Sequence, residues 1–187
     1  MEKIISIFLR FTGKNYSTGY KIVSLLPGTI VFLVISPFFL FLFSRYLTRL
    51  IPLPWPETVE IAIALLAILL ALTLMTWGTL SLWITGGGTP APITPTSTLV
   101  TNRIYGYCRN PIELGTNLYF LALGTWLDTL STGILCMGFG MLLGYGYIKI
   151  IEERELALRF GEEYQIYLKT TPLFFPIFRR QKENRGD

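Results

Sequence analysis

Long stretches without a charged residue are the feature that most restricts how this chain can fold. Residues 22–44 and 61–84 contain no Asp, Glu, Lys or Arg. At about 1.5 Å per helical residue, each stretch is long enough to cross a hydrocarbon core of about 30 Å. The uncharged stretch 129–148 also has spanning length, whereas 114–127 is short for a span. The sequence therefore predicts an all-α, polytopic membrane protein with about four transmembrane helices.

The third and fourth predicted helices form a hairpin. Pro111 is a typical first residue of a helix and Asn110 is a candidate cap, so the third helix is predicted at about 111–127. The fourth helix follows a tight turn at Asp128 and continues past Lys149 as a cytoplasmic helical extension. We expect a single membrane domain made of an interfacial basic segment (1–20), two anchoring helices (21–85), a core (86–176) and a basic polar tail (177–187).

The distribution of basic residues predicts the orientation. Of the 16 Lys and Arg residues, only Arg45 and Arg49 fall between the first two predicted helices. By the positive-inside rule, both termini and the loop between the second and third helices are cytoplasmic. This asymmetry explains the net charge of +4, and no organised basic and aromatic face points to nucleic acid. We therefore expect an integral membrane protein whose partners include membrane lipids but no nucleic acid.

The residue types that usually hold metals are scarce. The chain has no histidine and two cysteines, Cys108 in a cytoplasmic segment and Cys136 in a predicted membrane helix. Two cysteines alone do not complete a zinc site, and a disulfide between these positions is not expected. The sequence therefore predicts no metal site and argues against catalysis by a histidine base.

The two ends of the hairpin carry its chemistry on the cytoplasmic side. A helix N-terminus near Arg109 and Asn110 offers free N–H groups to a carboxylate. Glu152 and Glu153 are suited to an ammonium, and Tyr105 offers an aromatic face to a flat base or a cation. S-adenosylmethionine has all these groups. The alternative is that the charged residues are ordinary interfacial anchors.

Two sequence segments carry a family resemblance. They are LVTNRIYGYCRNPIELG at 99–115 and EERELALRFGEEYQIY at 152–167, preceded by TPAP at 89–92. In this order, and with a hairpin between them, they resemble the C-terminal core of the isoprenylcysteine carboxyl methyltransferase and phospholipid methyltransferase superfamily of integral membrane enzymes. The resemblance covers about residues 86–176, so that segment is expected to be a methyltransferase-like core.

The resemblance implies S-adenosylmethionine bound from the cytoplasm and a lipid-like acceptor that enters from the bilayer. It also implies in-line displacement at the sulfonium methyl, which depends chiefly on alignment in a water-poor pocket. Arg109, which would orient acceptor or cofactor, and Glu113 are the candidate catalytic residues. The cofactor-binding residues that the resemblance implies are Leu99, Val100, Tyr105, Asn110, Pro111, Ile112, Glu152 and Glu153.

The chain departs from the superfamily pattern at several positions. Asn110 replaces a histidine, Glu113 replaces a tyrosine, and Arg103 replaces a glycine. Ile148 stands where the eukaryotic enzymes have the arginine that binds the prenylcysteine carboxylate, and Lys149 is only adjacent to it. The change at Ile148 argues against a prenylcysteine carboxylate as substrate.

Two functions remain open at this point. The first is S-adenosylmethionine-dependent methyl transfer to a small or lipid-like acceptor at the cytoplasmic membrane face. The second is a catalytically inactive accessory subunit with membrane protein partners in a larger complex. Pairing of Glu113 with Arg109 or Lys149 would fill the site with protein and weaken the enzyme hypothesis. An open cavity in which Glu113 faces Glu152 would support it.

Overall fold

A computed structural model of the chain describes residues 2–50 and 53–174. Within these residues the chain is helical and contains no β-strand, which confirms the all-α prediction. The helices are α1 (Glu2–Leu9), α2 (Thr18–Ile30), α3 (Ser36–Thr48), α4 (Glu57–Gly86), α5 (Pro111–Leu127), α6 (Leu130–Tyr147) and α7 (Glu153–Thr170). The predicted tail at 177–187 lies outside the described residues.

Three helical segments have the length and apolar composition to cross a membrane. They are Thr18–Thr48, Glu57–Gly86 and Leu130–Thr170. Such segments fit an integral membrane protein. Helix α5 has 17 residues and is not among them, so the predicted count of four spans is not confirmed. It packs chiefly against α4 and α6.

The first spanning segment is irregular in its middle. A π-helical turn, Val31–Ile35, separates α2 from α3, and Pro37 follows it. Proline has no backbone N–H, so an α-helix would leave the Leu33 carbonyl without its usual donor. The Tyr119 hydroxyl donates to that carbonyl at 3.0 Å and ties α5 to this segment. The irregular turn before Pro37 is thus stabilised by a neighbouring helix.

The hairpin of α5 and α6 is tightly packed because glycines face its interface. A Cβ atom added at Gly133 would lie 2.4 Å from the Leu121 carbonyl oxygen. One added at Gly140 would lie 2.6 Å from Cδ2 of Phe120. Small residues allow such close approach between membrane helices. Gly133 and Gly140 of the fourth predicted helix therefore allow the close packing of the hairpin, whereas Gly138 and Gly146 have open space at their Cβ positions.

Polar contacts join the elements at the end of the bundle where α5 leads into α6. The Arg45 guanidinium Nε lies 3.3 Å from Oδ1 of Asp128. The backbone N–H of Leu130, at the start of α6, donates to Oε1 of Glu60 at 2.7 Å. The Thr129 side chain caps α6 by accepting from Thr132 N–H. The tight turn predicted at Asp128 is confirmed.

At the other end of the bundle, where α5 begins and α6 leads into α7, the structure confirms some of the predictions for helix starts and ends. Helix α5 begins at Pro111 and ends at Leu127, as predicted. The fourth predicted helix continues through a second π-helical turn, Ile148–Glu152, into α7. Asn110 occupies the N-cap position, but its side chain makes no capping hydrogen bond, so that prediction is wrong. Its backbone N–H instead donates to the Leu173 carbonyl at 3.2 Å, because the chain after α7 runs back to this point.

Candidate functional site

The two halves of the predicted site meet through one carboxylate. Nη1 of Arg109, just before α5, lies 3.1 Å from Oε1 of Glu153 at the start of α7. Lys149 Nζ lies 2.7 and 2.9 Å from the two oxygens of the same carboxylate. Side-chain exposure is 9% for Arg109 and 16% for Glu153, so this pair is largely shielded from solvent. Glu153 is therefore neutralised by protein cations.

The segment after α7 closes over the start of α5. The N–H of Arg109 donates to the Pro172 carbonyl at 2.9 Å, and the Cys108 thiol donates to the Leu173 carbonyl at 3.3 Å. Pro111 has no N–H, so the first N–H groups of α5 without an intrahelical acceptor are those of Ile112 and Glu113. This helix start keeps the partial positive charge that suits a carboxylate.

Glu113 faces α6 rather than the nearby cations. Its Oε1 accepts a hydrogen bond from Asn117 Nδ2 at 3.0 Å. A Cβ added at Gly144 would lie only 1.8 Å from the same oxygen, so the carboxylate lies directly against α6. Among the described residues Glu113 forms no ion pair with Arg109 or Lys149. The ion pair of Glu113 with Arg109 or Lys149, which would have weakened the enzyme hypothesis, is thus absent from the described part of the chain.

Glu152, like Glu113, has no cationic partner among the described residues. No salt bridge involves its carboxylate within residues 2–50 and 53–174. Its charged neighbours include the carboxylates of Glu113, Glu153 and Glu155, and the Arg109 cation is already paired with Glu153. A ligand cation bound beside Glu152 would therefore stabilise the ionised form of this carboxylate.

The apolar side of the site comes from the loop before α5. Val100 and Tyr105 are 4% and 8% exposed, and Leu99 is half-buried. The Tyr167 hydroxyl donates to the Tyr105 carbonyl at 2.7 Å and holds the loop on α7. Burial and the negative charge of Glu152 raise the pKa of the Tyr105 phenol well above its ordinary value. The Tyr105 hydroxyl therefore stays protonated near neutral pH.

A second ion pair supports this loop and was missed by the sequence reasoning. Nη1 of Arg159 lies 2.8 Å from Oε1 of Glu155, and Nη2 of Arg159 donates to the Thr96 carbonyl. Glu155 is 8% exposed. The signal available in the sequence was the four-residue spacing of the two charges on one helix. The partner Thr96 lies about 60 residues away and has no such signal.

The glycine of the motif at 152–167, Gly161, has a backbone conformation that requires this residue type. Its backbone has φ of 54° and ψ of −125°, inside the range otherwise covered by α7. Only glycine adopts such a conformation without strain. The second half of α7, with Tyr164 and Tyr167 buried, is thereby redirected against the loop.

Two cavities lie away from these residues. An apolar groove of about 480 Å³ lies between residues 33–41 and the end of α5. A cavity of about 250 Å³ is lined by Glu57, Glu60 and residues near Trp126. Neither is lined by a site residue predicted from the sequence.

With the geometry described, the chain can be compared with known proteins. Residues 59–163 match the phospholipid methyltransferase family, which accounts for more than half of the chain. The chain belongs to this family. The matched region of this phospholipid methyltransferase family member runs from the start of α4 into α7 and contains the predicted site residues. Family membership confirms the superfamily resemblance and supports a membrane methyltransferase.

A curated relative is the cobalt-zinc-cadmium resistance protein CzcN of Cupriavidus metallidurans. It is 36% identical over 81 residues, which make up 43% of this chain and 36% of the relative. The chain thus matches little more than a third of that protein's length. No solved structure is significantly similar to the chain.

Proposed function

We propose that this protein transfers a methyl group from S-adenosylmethionine to a lipid-like or small acceptor at the cytoplasmic membrane face. The observation that carries the proposal is the contact between Arg109 and Glu153. It joins the two motif segments, which are over 40 residues apart, into one polar site inside the region that matches the family. Membership of the family favours this function over the inactive accessory subunit.

The residues at this site fit the cofactor's groups. The unpaired Glu152 carboxylate would bind the methionine ammonium, with Glu153 beside it as a neutralised neighbour. The free N–H groups at the start of α5, framed by Asn110, Pro111 and Ile112, would bind the carboxylate. When bound, S-adenosylmethionine supplies a methyl group on a positively charged sulfur. The negative charge at Glu152 favours retention of such a cation.

The flat base would pack on the loop before α5. Val100 and Tyr105 are buried there, and half-buried Leu99 adjoins them. Val100 and Tyr105 already pack with Ile104, so the half-buried Leu99 is the part of this apolar wall that a base would cover. The Arg159 contact to Thr96 and the Tyr167 contact to Tyr105 would keep this wall in place before the cofactor arrives. Preorganisation of this kind lowers the entropic cost of binding.

Arg109 and Glu113 are the proposed catalytic residues. Arg109 is held by Glu153, and its buried Nε has no hydrogen-bond partner among the described residues. It would orient the acceptor through that remaining donor. The Glu113 carboxylate, held by Asn117, would receive the proton that a neutral acceptor group loses as it is methylated. Alignment of the acceptor atom with the methyl group in a water-poor site would supply the remaining rate enhancement.

The orientation is part of the proposal. All basic residues except two are predicted at the end of the bundle that carries the site. The positive-inside rule then puts this end, and both termini, in the cytoplasm. A lipid-like acceptor would reach the site from the adjoining leaflet, in keeping with the family's name.

Calorimetric titration of S-adenosylhomocysteine into the detergent-purified full-length chain tests the cofactor site. We expect micromolar binding that Glu152→Gln reduces at least tenfold. The matched control is Glu162→Gln, an exposed position on α7, which should bind as the wild type does. Absence of binding to folded wild-type protein, or equal binding by both variants, would overturn the proposal. Transfer of labelled methyl from S-adenosylmethionine to extracted lipids then tests catalysis.

A further inference from the structure

An apolar groove on the lipid-facing side of the bundle has no part in the proposed methyl transfer. It has a volume of about 480 Å³ and is lined only by apolar side chains, from the segment 33–41 and from Leu123 and Leu127. Leu123 and Leu127 lie near the end of α5 that is opposite to the proposed active site.

The groove is built by the irregular backbone of the first spanning segment. The π-helical turn Val31–Ile35 and Pro37 both contribute to its wall. The hydrogen bond from Tyr119 to the Leu33 carbonyl holds this segment against α5 at one end of the groove. The groove is therefore a consequence of fixed backbone geometry rather than of loose side chains.

The dimensions of the groove match one leaflet of a bilayer. From Leu33 to Phe41 the helix advances eight residues, or about 12 Å at about 1.5 Å per residue. Half of a hydrocarbon core of about 30 Å is slightly more than this distance. Several side chains along it are more than half exposed, including Phe38 and Phe39, so one side of the groove is open. A chain lying in it would run along the bilayer normal within a single leaflet.

A cation stands at the outer end of the groove. Arg45 lies one helical turn beyond Phe41, with its Cζ 5.8 Å from the centroid of that ring. The closest approach in the salt bridge to Asp128 is from Nε of Arg45 to Oδ1 at 3.3 Å, and the Arg45 side chain remains 44% exposed. Its two terminal nitrogens make no hydrogen bond within the described part of the chain. A planar pair of free donors on an arginine suits a phosphate.

We propose that this groove binds one acyl chain of a phospholipid in the leaflet opposite to the methyl transfer site, with the lipid phosphate on Arg45. The ligand is a resident lipid and not the methyl acceptor, because the groove and the site lie at opposite ends of α5. The bound chain covers apolar side chains of α3 and α5 together and stabilises their contact. Burial of each methylene of the chain in a fitted groove adds dispersion contacts.

Native mass spectrometry of the full-length protein in mild detergent, titrated with phosphatidylglycerol, tests the proposal. We expect one tightly retained phospholipid. Leu127→Trp, which fills the groove at a half-exposed position, should weaken retention at least tenfold. Leu142→Trp, at an exposed position on α6 outside the groove, is the matched control and should retain the lipid. Equal retention by both variants would overturn the proposal.

The phosphate contact is tested with diacylglycerol of the same chain composition. Arg45→Lys keeps a positive charge beside Asp128 but removes the planar pair of donors. It should weaken phosphatidylglycerol retention severalfold and leave diacylglycerol retention unchanged. If wild-type protein holds diacylglycerol as tightly as the phospholipid, Arg45 does not bind the phosphate. Unchanged methyl transfer in the Leu127→Trp variant would separate this result from any failure of the proposed function.

Discussion

The carboxylate of Glu113 lies directly over Gly144 across the hairpin, where a Cβ atom would come within 1.8 Å of Oε1. One turn away, a Cβ at Gly140 would come within 2.5 Å of Oδ1 of Asn117. Two glycines of α6 thus leave space for two polar side chains of α5. Polar side chains between membrane helices are costly unless they are paired or face a polar cavity, and they often mark a functional site. The position of Glu113 over Gly144 therefore offers a direct test of the catalytic role proposed for this carboxylate.

Substitution of Gly144 separates the position of Glu113 from folding. In Gly144→Ala the new methyl group would displace the flexible end of Glu113 and leave the backbone in place. We expect the melting temperature to change by no more than a few degrees while methyl transfer falls about tenfold or more. Gly146→Ala is the matched control, because nothing lies within 4 Å of its Cβ position. Equal activity of the two variants would show that the placement of Glu113 is unimportant.

Removal of the Tyr119 hydroxyl tests the contact that stabilises the irregular helix. Tyr119→Phe would leave the Leu33 carbonyl without its 3.0 Å donor. Leu33 is partly buried in an apolar segment, where an unsatisfied acceptor costs about 1–3 kcal/mol, so the free energy of unfolding should fall by up to about that amount. Unfolding in a denaturing detergent titration measures it. Tyr46→Phe, at a position 63% exposed, should unfold as the wild type does.

The Cys108 thiol should be unreactive in the folded protein. It is 2% exposed, and burial raises the pKa of this thiol above its ordinary value, against smaller opposing effects of Asn110 and Arg109. Since the thiolate is the reactive form, a raised pKa lowers reactivity at neutral pH, and labelling should increase only as the pH rises. Maleimide labelling of a Cys136→Ala variant isolates this thiol. Fast labelling at pH 7 before denaturation would contradict the described burial.

Arg103 has a backbone conformation that favours glycine. Its φ is 54°, and the superfamily pattern has glycine at this position. A left-handed conformation costs a non-glycine residue roughly 1–2 kcal/mol, so Arg103→Gly should raise the free energy of unfolding. Arg103→Ala removes the same charge but keeps the strain, and should show no such gain. Thermal unfolding of the two variants side by side distinguishes conformational relief from the loss of charge.

Much of the fold was predictable because it depends on local sequence. Uncharged stretches set where apolar helices lie, and Pro111 set the first residue of α5. The predicted hairpin of the third and fourth helices implied that the residues before α5 and those after α6 approach each other on one side of the membrane. The contact between Arg109 and Glu153 confirms that approach. The assigned site roles and the cytoplasmic orientation stay predictions.

Partner choice within the site was not predictable from the sequence. Three carboxylates occur at 152, 153 and 155, and the helix rotation decides which one faces Arg109 and Lys149. The π-helical turn Ile148–Glu152 changes that rotation just before them. Glu153 is paired as a result, and Glu152 is left without a cation among the described residues.

Hydrophobicity, helix starts and motif order are properties of short segments, so the class of the protein, the approximate bounds of its main helices and its family follow from the amino-acid sequence. Three features arise instead from the packing of the helices: the backbone of Leu173 holds Asn110, Glu113 lies against Gly144, and a groove opens beside Pro37. Each of these contacts joins residues of different helices or distant segments. Their pairing depends on helix rotation and backbone irregularity, which local patterns do not encode.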